Sequence, residues 1–452
     1  MSNFNLSSIK EIYFIGIGGI STSALAKYCQ MLGKKVSGSD KKSSNLTNQL
    51  IGLGIKVHIG HKKENLKNAD CVCYTSAISD DNEEFLEAKK LGLTLVKRSE
   101  LLGAIAREYK ITIGISGSHG KTTTTSILAD ILIRANKKPT VFLGGENKRF
   151  GNFCCEDIEN KGIILLEACE YKKNFLDFKP NISVVLNIDN DHLDSYSNIE
   201  EQVETVEEFI SSSVSYVNFD DFYAKQLVSD KIIKVGLEGD YPITAKNIYQ
   251  KNGYQYFSVY YYGENLGRIK TKLKGKHNIY NCLFAVSVAL ELKIPFCYIK
   301  GGIEEFEGVS RRDEFMGEVG GKKIYCDYAH HPRELKRLIE SIEELEKTLI
   351  VFQPHTYSRT RFLSDEFVDV LSTITGGLII YKTYPAREKY DRKSSALSLF
   401  EKIVKIKKAR YFKSKKRLIE FLKTTTYHEK IYIVGAGDVY DVAKILINEK
   451  KK

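Results

Sequence analysis

A glycine-rich turn with a lysine and a threonine follows an apolar run in this chain. The run Ile111-Thr-Ile-Gly-Ile-Ser116 leads into Gly117-Ser-His-Gly-Lys-Thr122. Glycines lack a Cβ, so the backbone N–H groups of such a turn can converge on phosphate oxygens at the start of a helix. Lys121 would neutralise the β- and γ-phosphates of ATP, and the Thr122 hydroxyl would bind Mg²⁺. The pattern therefore predicts an ATP-binding phosphate loop.

The residues around this turn support that interpretation. The alternative is a glycine turn beside a solvated lysine, but Ile127, Leu128, Ile131 and Leu132 recur with helical spacing and predict the strand, loop and helix that the motif requires. The general motif has a further glycine where this chain has Ile115. The loop is therefore the shorter Gly-x-x-Gly-Lys-Thr form.

A second glycine turn lies near the amino terminus. Gly16 and Gly18 directly follow a strand-like run, and Asp40 ends the next one, where an acid could face a ribose. The pattern suggests a Rossmann-like site for a nucleotide pyrophosphate, with backbone N–H groups from Gly18, Gly19 and Ser21. A tight turn without a ligand is the alternative. A dehydrogenase would also begin this way, although it would not need the second, ATP-type loop.

Composition excludes several classes of protein. The 452 residues carry a net charge of +11, with 42% hydrophobic and 28% charged residues, which is typical of a globular protein of about three domains. The lysines are scattered or clustered between Lys402 and Lys416 without an aromatic-interleaved basic motif, so we expect no nucleic-acid partner. No apolar run is long enough for a membrane span and no signal peptide is evident, so we expect a cytoplasmic protein without a membrane partner. The nine cysteines form no Cys-x-x-Cys pair and are expected to be reduced and buried.

Strand-like and helical patterns alternate along most of the chain. This alternation predicts an α/β fold with largely parallel sheets. We place domain boundaries after residues 107 and 312, which gives a Rossmann-like domain 1–107, a central P-loop domain 108–312 and a Rossmann-like domain 313–452. Between Ile232 and Leu273 the alternation becomes tyrosine-rich, and we expect short antiparallel strands attached to the central domain.

Many separate motifs, spread from about Ile12 to Asp438, resemble those of the Mur ligase family. They are Gly16-Ile-Gly-Gly-Ile20, Tyr74-Thr-Ser-Ala-Ile78, Arg98-Ser-Glu-Leu-Leu102, Gly117-Ser-His-Gly-Lys-Thr122, Leu166-Glu-Ala-Cys-Glu-Tyr171, Asn187-Ile-Asp-Asn-Asp-His192, Gly275-Lys-His-Asn278, Asp327-Tyr-Ala-His-His-Pro332, Phe352-Gln-Pro-His355 and Gly435-Ala-Gly-Asp438. The resemblance implies a three-domain fold and ATP-dependent amide formation through an acyl phosphate. The motifs that begin at Gly16, Asp327 and Phe352 resemble the alanine-adding branch, which implies UDP-N-acetylmuramate and L-alanine as substrates. The cofactors implied are ATP and Mg²⁺, with Mn²⁺ as an alternative, and the chain is expected to be a monomer or a homodimer.

The resemblance also implies roles for particular residues. It places the metal on Thr122, Glu167 and His192. Related ligases have a carbamylated lysine some fifteen residues after the histidine, and this chain has Glu207 there, so we hypothesise that Glu207 is a further ligand. Glu170 could assist, or could pair with a surface lysine. ATP would contact Gly117, Ser118, His119, Gly120, Lys121, Thr122, Thr123, His277, Asn278, Asn281, Arg312 and Asp327. The UDP-sugar would contact Gly16, Gly18, Gly19, Ser21, Asp40, Ser76 and Ala77.

The remaining roles concern catalysis. Lys121, His192 and Arg312 would act on the phosphates, and His330, His355 and Arg359 would close over the acyl phosphate and the incoming alanine. Many alanine-adding relatives have an arginine where this chain has Thr356, which leaves Arg359 as the expected carboxylate partner. Because these residues come from three domains, we expect domain closure to assemble the site.

Three alternatives remain from the sequence. The first is a recycling ligase that joins a preformed murein peptide to the same nucleotide sugar. The second is a catalytically silent nucleotide-binding scaffold, and the third is a dehydrogenase that uses the first glycine loop. Lys121, Thr122, Glu167 and His192 are all present, which argues against a silent scaffold.

Overall fold

The structure is a computed structural model that describes residues 4–75, 78–189, 196–386 and 388–448. The chain divides into two compact units, Met1–Glu307 and Gly308–Lys452. The predicted α/β architecture is confirmed in both units. The domain boundaries after residues 107 and 312 stay predictions.

The first part of unit one is a five-stranded sheet in which every strand pairs in parallel, in the order β3-β2-β1-β4-β5. Its buried strands are short apolar runs, as expected for a parallel sheet that is covered on both faces. The strands are β1 Glu11–Ile15, β2 Lys35–Asp40, β3 Lys56–Ile59, β4 Cys71–Tyr74 and β5 Thr94–Lys97. The helices are α1 Ile20–Met31, α2 Asn45–Gly52, α3 Glu83–Lys90 and α4 Arg98–Ala106.

The rest of unit one is built on a ten-stranded mixed sheet in the order β15-β14-β13-β12-β11-β10-β6-β9-β7-β8. The strands are β6 Ile111–Ser116, β7 Thr140–Asn147, β8 Gly151–Cys154, β9 Ile163–Glu167, β10 Ile182–Val185, β11 Val214–Asn218, β12 Ile232–Gly236, β13 Ile243–Lys251, β14 Tyr254–Tyr261 and β15 Glu264–Thr271. The helices are α5 Lys121–Arg134, α6 Ile199–Ile210, α7 Lys276–Glu291 and α8 Phe296–Glu304.

The position of β6 in this sheet decides where the phosphate loop lies. β6 pairs in parallel with β9 on one side and β10 on the other. The loops that leave the carboxyl ends of these three strands therefore lie side by side, at the edge where ligands bind in such sheets. The segment predicted as antiparallel strands begins with β12, which instead pairs in parallel with β11. Its tyrosine-rich part forms β13, β14 and β15, which are antiparallel as predicted. It extends the central sheet, because β13 pairs in parallel with β12.

The hairpin of β7 and β8 connects the two parts of unit one. Asn152 donates from Nδ2 to the carbonyl of Ile20 at 2.6 Å and to the Ser23 hydroxyl at 2.9 Å, both in the first turn of α1. Lys27, one turn further along α1, donates to Asn152 Oδ1 at 2.9 Å. The helix that follows the first glycine turn is thus held by a strand of the central sheet.

Unit two has a six-stranded sheet in the order β16-β17-β21-β18-β19-β20, parallel except for the β16 and β17 pair. The strands are β16 Glu314–Val319, β17 Lys322–Asp327, β18 Thr348–Phe352, β19 Gly377–Tyr381, β20 Arg410–Phe412 and β21 Lys430–Val434. The helices are α9 Pro332–Ser341, α10 Tyr357–Phe362, α11 Ser364–Ser372, α12 Ala396–Ile403, α13 Lys415–Thr424 and α14 Tyr440–Asn448. The motifs predicted to act on alanine follow the carboxyl ends of β17 and β18.

All nine cysteines are free thiols, and most are buried as predicted. Cys155 and Cys169 are half-buried, and Cys297 is exposed at the start of α8. Among the described residues, no helix is both long enough and apolar enough to cross a membrane.

Candidate active site

The phosphate loop requires glycine at both of its ends. Gly117 has φ +133° and Gly120 has φ +89°, a backbone region that other residues rarely adopt. A Cβ on Gly117 would lie 2.8 Å from the Cβ of Leu186, and one on Gly120 would lie 2.6 Å from Asn281 Oδ1. Gly120 is the N-cap of α5, so the positive end of that helix begins at the loop. The predicted geometry for binding a phosphate is present.

A buried carboxylate lies directly beneath this loop. Glu170 is completely buried, and its Oε1 accepts the backbone N–H of Gly117 at 2.9 Å. Its Oε2 lies 3.5 Å from the ammonium of Lys121, which also donates to the carbonyl of Gly117. Glu170 therefore pairs with the phosphate-loop lysine, and the alternative of a surface lysine partner is wrong.

Thr122 and Glu167 lie together at the carboxyl end of β9. The Thr122 hydroxyl donates to Glu167 Oε2 at 3.0 Å, and the backbone N–H of Gly144 donates to Glu167 Oε1 at 2.6 Å. A hydroxyl and a carboxylate are both hard oxygen donors, which are the ligands that Mg²⁺ prefers. The donor set therefore fits the predicted metal.

The segment after β10 supports the middle of the phosphate loop. The backbone N–H of His119 donates to Asn187 Oδ1 at 2.8 Å, and the Asn187 side chain donates back to the His119 carbonyl at 3.0 Å. The buried His119 ring lies 3.2 Å from the carboxylate of Asp189, and Ser118 exchanges hydrogen bonds with the Asp189 backbone. His119 and Ser118 thus hold the loop against its neighbouring strand.

Helix α7 brings a predicted ATP residue to the same loop. Asn281 Oδ1 accepts a hydrogen bond from Thr124 of α5 at 3.2 Å, and its Nδ2 donates to Asn278 at 2.9 Å. Asn278 in turn donates to the carbonyl of Lys274 at 2.7 Å, just before the helix. His277 is half-buried in the first turn of α7, and Thr123 is buried in the first turn of α5. Contacts of these residues with adenine stay predictions.

Two further residues, His192 and Glu207, are predicted to bind the metal. His192 lies outside the described residues. Glu207 is in the last turns of α6, where its carboxylate accepts the backbone N–H of Val228 at 2.9 Å. That bond gives Glu207 a structural role in joining α6 to the segment before β12, and its role as a metal ligand stays a hypothesis.

The first glycine turn is held by the acid predicted to face a ribose. Gly16 has φ +80°, and its N–H donates to the Ser39 carbonyl at 2.8 Å. The Gly18 N–H donates to Asp40 Oδ2 at 2.9 Å. Two groups that are each predicted to bind the nucleotide are therefore hydrogen-bonded to each other. Gly19 is the N-cap of α1, and Ser21 is in its first turn. Ser76 and Ala77 lie outside the described residues.

In unit two, Asp327 is the last residue of β17 and contacts the segment that precedes β16. Its carboxylate accepts the N–H of Asp313 at 2.8 Å and the N–H of Ala329 at 2.7 Å. Burial raises the pKa of Asp327, whereas the nearby Arg312 opposes that shift. Arg312 lies 3.7 Å from the carboxylate of Glu334 and over the ring of Tyr328.

The two predicted histidines lie side by side in unit two. The rings of His330 and His355 are 5.6 Å apart, and His355 also stacks on Tyr384 at 5.5 Å. His355 Nδ1 is buried and has no hydrogen-bond partner among the described residues. Burial, followed by the charges of His330, Arg359 and Arg311, lowers the pKa of His355 to about 3. His355 is therefore neutral near pH 7 and carries an unpaired nitrogen, as expected for a side chain that contacts a ligand.

Arg359 lies on the short helix α10, one turn after Thr356. Thr356 has φ +64° and ψ +150°, which is a strained backbone conformation for a β-branched residue. It accepts the Arg359 N–H with its hydroxyl at 3.3 Å, and its own N–H donates to the Tyr384 carbonyl at 2.8 Å. The chain therefore uses position 356 to turn the backbone.

The sequence interpretation missed four residues that shape these sites. They are Asn187, Asp189, Glu334 and Tyr384. The first three lie in or next to motifs already noted: Asn187 and Asp189 follow the end of β10, and Glu334 lies in the first turn of α9. Tyr384 had no signal in the sequence, because its contact with His355 depends on the pairing of β18 with β19.

Comparison with known proteins identifies the family. The chain matches the Mur ligase family catalytic domain over residues 11–110, the Mur ligase middle domain over 115–289 and the Mur ligase glutamate ligase domain over 311–437. It is 40% identical over 444 residues to the UDP-N-acetylmuramate–L-alanine ligase of Aquifex aeolicus, which covers 95% of this chain and 96% of that protein. The chain belongs to the Mur ligase family. The predicted family and its three-domain architecture are confirmed.

Other similar proteins agree with membership of this family. The enzyme of the same name from Clostridium kluyveri is 40% identical over 461 residues, which is 99% of this chain and 100% of that protein. The crystal structure of the UDP-N-acetylmuramate-alanine ligase of Thermotoga maritima matches with a TM-score of 0.85 and 25% identity, over 98% of this chain and 99% of that one. A murein peptide ligase from Psychrobacter arcticus matches with a TM-score of 0.73 at 18% identity, over 97% of this chain and 98% of that one, which shows the shared fold.

Proposed function

We propose that this chain joins L-alanine to the carboxylate of UDP-N-acetylmuramate at the expense of ATP, giving UDP-N-acetylmuramoyl-L-alanine, ADP and phosphate. The observation that supports it most is the phosphate loop with Lys121, Thr122 and Glu167 at its edge, in a Mur ligase whose full-length relatives at about 40% identity bear the name of the alanine ligase. The murein peptide ligase shares the fold at only 18% identity. The recycling alternative is therefore not favoured.

The chemistry has two steps. The substrate carboxylate oxygen attacks the γ-phosphorus, the bond to the β-phosphate oxygen breaks, and ADP leaves. The amine of alanine then attacks the acyl carbon, the C–N bond forms, and phosphate leaves with the electron pair of the C–O bond. Phosphoryl transfer of this kind depends mainly on positioning and on neutralising charge.

The residues of the phosphate loop would supply both. The backbone N–H groups between Gly117 and Gly120 and the start of α5 would bind the β-phosphate, and the Lys121 ammonium would move from Glu170 toward the γ-phosphate. Mur ligases are ATP-dependent and generally use a divalent metal. Thr122 and Glu167, with His192 and Glu207 as further ligands, would hold Mg²⁺ or Mn²⁺, which would neutralise the phosphate charges.

The remaining predicted residues would bind the UDP-sugar, the rest of ATP and alanine. The glycine turn with Gly18, Gly19, Ser21 and Asp40 would bind the UDP-sugar, together with Ser76 and Ala77. His277, Asn278, Asn281, Arg312 and Asp327 would bind ATP beyond its phosphates, and His330, His355 and Arg359 would bind alanine. Because ATP and a nucleotide-activated sugar are metabolites of the cytoplasm, we place the reaction there. Both a monomer and a homodimer are compatible with this function.

A phosphate-release assay tests the proposal. The full chain is incubated with UDP-N-acetylmuramate, ATP and Mg²⁺, and with L-alanine, L-serine, glycine or a muramyl tripeptide. Release that depends on L-alanine is expected, and release only with the tripeptide would overturn the proposal. Lys121→Met should abolish release, whereas Lys137→Met, at an exposed lysine just after α5, should retain it.

A further inference from the structure

One carboxylate in unit two contacts two residues that the reaction is predicted to use. Glu334 lies in the first turn of α9, and its side chain is largely buried. Its Oε1 faces the Arg312 guanidinium at 3.7 Å. Its Oε2 accepts the backbone N–H of His330 at 3.1 Å and lies 3.2 Å from the ring nitrogen Nδ1.

These contacts determine which nitrogen of His330 carries the proton. Nδ1 lies 3.0 Å from the carbonyl oxygen of Tyr328 as well as 3.2 Å from Glu334 Oε2. An ionised carboxylate and a carbonyl can only accept hydrogen bonds, so Nδ1 must be the donor. In the neutral ring, Nε2 is then the nitrogen with a lone pair.

The charged and titratable groups around His330 come from several segments. Tyr328 and Glu334 belong to its own segment, Arg312 lies in the segment before β16, and His355 lies after β18. Arg359 and Arg311 act electrostatically on His355 from further away. The negative charge of Glu334 therefore lies between the Arg312 guanidinium and the His330 ring, where it stabilises both.

We propose that Glu334 is a positioning residue that holds His330 with Nδ1 protonated, so that His330 Nε2 takes the proton which the ammonium of alanine must lose before it attacks. This inference rests on the proposed function. One proton passes from the ammonium to Nε2, and the neutral amine forms the C–N bond. The leaving phosphate takes the second proton from nitrogen, and the imidazolium returns its proton to solvent.

The tautomer can be measured without activity. In the full-length protein with ¹⁵N-labelled histidine, long-range proton–nitrogen spectra report which ring nitrogen is protonated, and His330→Gln assigns the signal. The Nδ1–H form is expected in the wild type, and its share should fall in Glu334→Ala, where the Tyr328 carbonyl remains as an acceptor but the carboxylate is gone. Glu340→Ala changes an exposed glutamate on the same helix and should leave the spectrum unchanged. An Nε2–H form in the wild type would overturn the proposal.

A second nucleophile separates proton removal from acyl phosphate formation. Hydroxylamine is mostly neutral at neutral pH and needs no base to attack an acyl phosphate. Glu334→Ala should lower kcat with L-alanine by about tenfold or more, as expected when a general base is misplaced. ATP-dependent hydroxamate formation from UDP-N-acetylmuramate should change by less than about twofold. An equal loss with both nucleophiles would show that Glu334 acts earlier, through Arg312, and would overturn the proposal. If the proposed function itself is wrong, the wild type will form product with neither L-alanine nor hydroxylamine. That result differs from the loss expected in Glu334→Ala alone.

Discussion

Glu170 accepts the backbone N–H of Gly117 at 2.9 Å and lies 3.5 Å from the ammonium of Lys121. The carboxylate is completely buried, whereas the lysine side chain keeps 15% of its exposure. One acid, three residues beyond the predicted metal ligand Glu167, thus contacts both the first glycine of the phosphate loop and the lysine that is predicted to bind ATP. Glu170 thus fixes the backbone of the loop that is predicted to receive the phosphates of ATP.

Glu170→Ala should therefore weaken both folding and ATP binding. The substitution leaves the buried Gly117 N–H without this acceptor and removes a carboxylate that pairs with Lys121. Each buried group left unsatisfied lowers the free energy of unfolding by about 1–3 kcal/mol. Glu170→Gln keeps an acceptor for Gly117 and should cost less. Urea unfolding and calorimetric ATP titration measure the two effects, and Glu208→Ala, at an exposed glutamate of α6, is the control. Wild-type values for both properties in Glu170→Ala would contradict the assignment.

Gly120→Ala should abolish ATP binding, because the new Cβ would lie 2.6 Å from Asn281 Oδ1. Gly33→Ala is a matched control, since Gly33 has a similar φ of +77° and a methyl group added there would meet no described atom within 4 Å. Backbone strain alone costs about 1–2 kcal/mol and should be common to both variants. ATP titration and urea unfolding would show a larger loss in Gly120→Ala. Equal losses in stability would mean that Asn281 moves aside at no cost.

Glu84→Ala should be among the most destabilising single substitutions in the part of unit one that is built on the first sheet, because Glu84 joins α3 to its neighbours. The buried Glu84 carboxylate accepts hydrogen bonds from Tyr13 at 2.7 Å, Ser39 at 2.5 Å and Asn65 at 2.8 Å, and lies 3.0 Å from the His61 ring. Removing it leaves the buried Tyr13 hydroxyl without this acceptor and takes one hydrogen bond each from Ser39 and Asn65, so the loss should be about 3 kcal/mol or more. Tyr13→Phe removes one donor and should cost about 1 kcal/mol. Similar unfolding free energies for the two variants would contradict this account.

His355 should make the protein less stable in acid. Its pKa is about 3 in the folded chain, against an ordinary value of 6.5, so below pH 6.5 the unfolded chain binds a proton that the folded chain does not. The free energy of unfolding should then fall by about 1 kcal/mol per pH unit as the pH drops from 6 toward 4. His355→Gln removes this component, so its unfolding free energy should vary less between pH 7 and pH 5. Parallel pH profiles for the variant and the wild type would contradict the shift.

Much of the fold and part of the site could be predicted from local sequence. The phosphate loop is one example, because a strand, a glycine turn and a helix in succession need no distant partner to be recognised. The tyrosine-rich strands and the strand-end position of Glu167 are others. The contacts of Glu170 and Glu334 could not be predicted in the same way, since an acid in or beside a motif has the same sequence signal whether its side chain is buried or exposed.

The sequence by itself determined the elements and the residue types that the chemistry needs: Gly117 and Gly120, Lys121, Thr122, and an acid at the end of β9. The tertiary structure decided which of them meet. The order β10-β6-β9 brings Asn187 and Glu170 to opposite sides of one loop, and α7 places Asn281 against Gly120 from a position distant in the chain. Such contacts depend on strand order and helix packing, which the periodicity of a single segment does not encode.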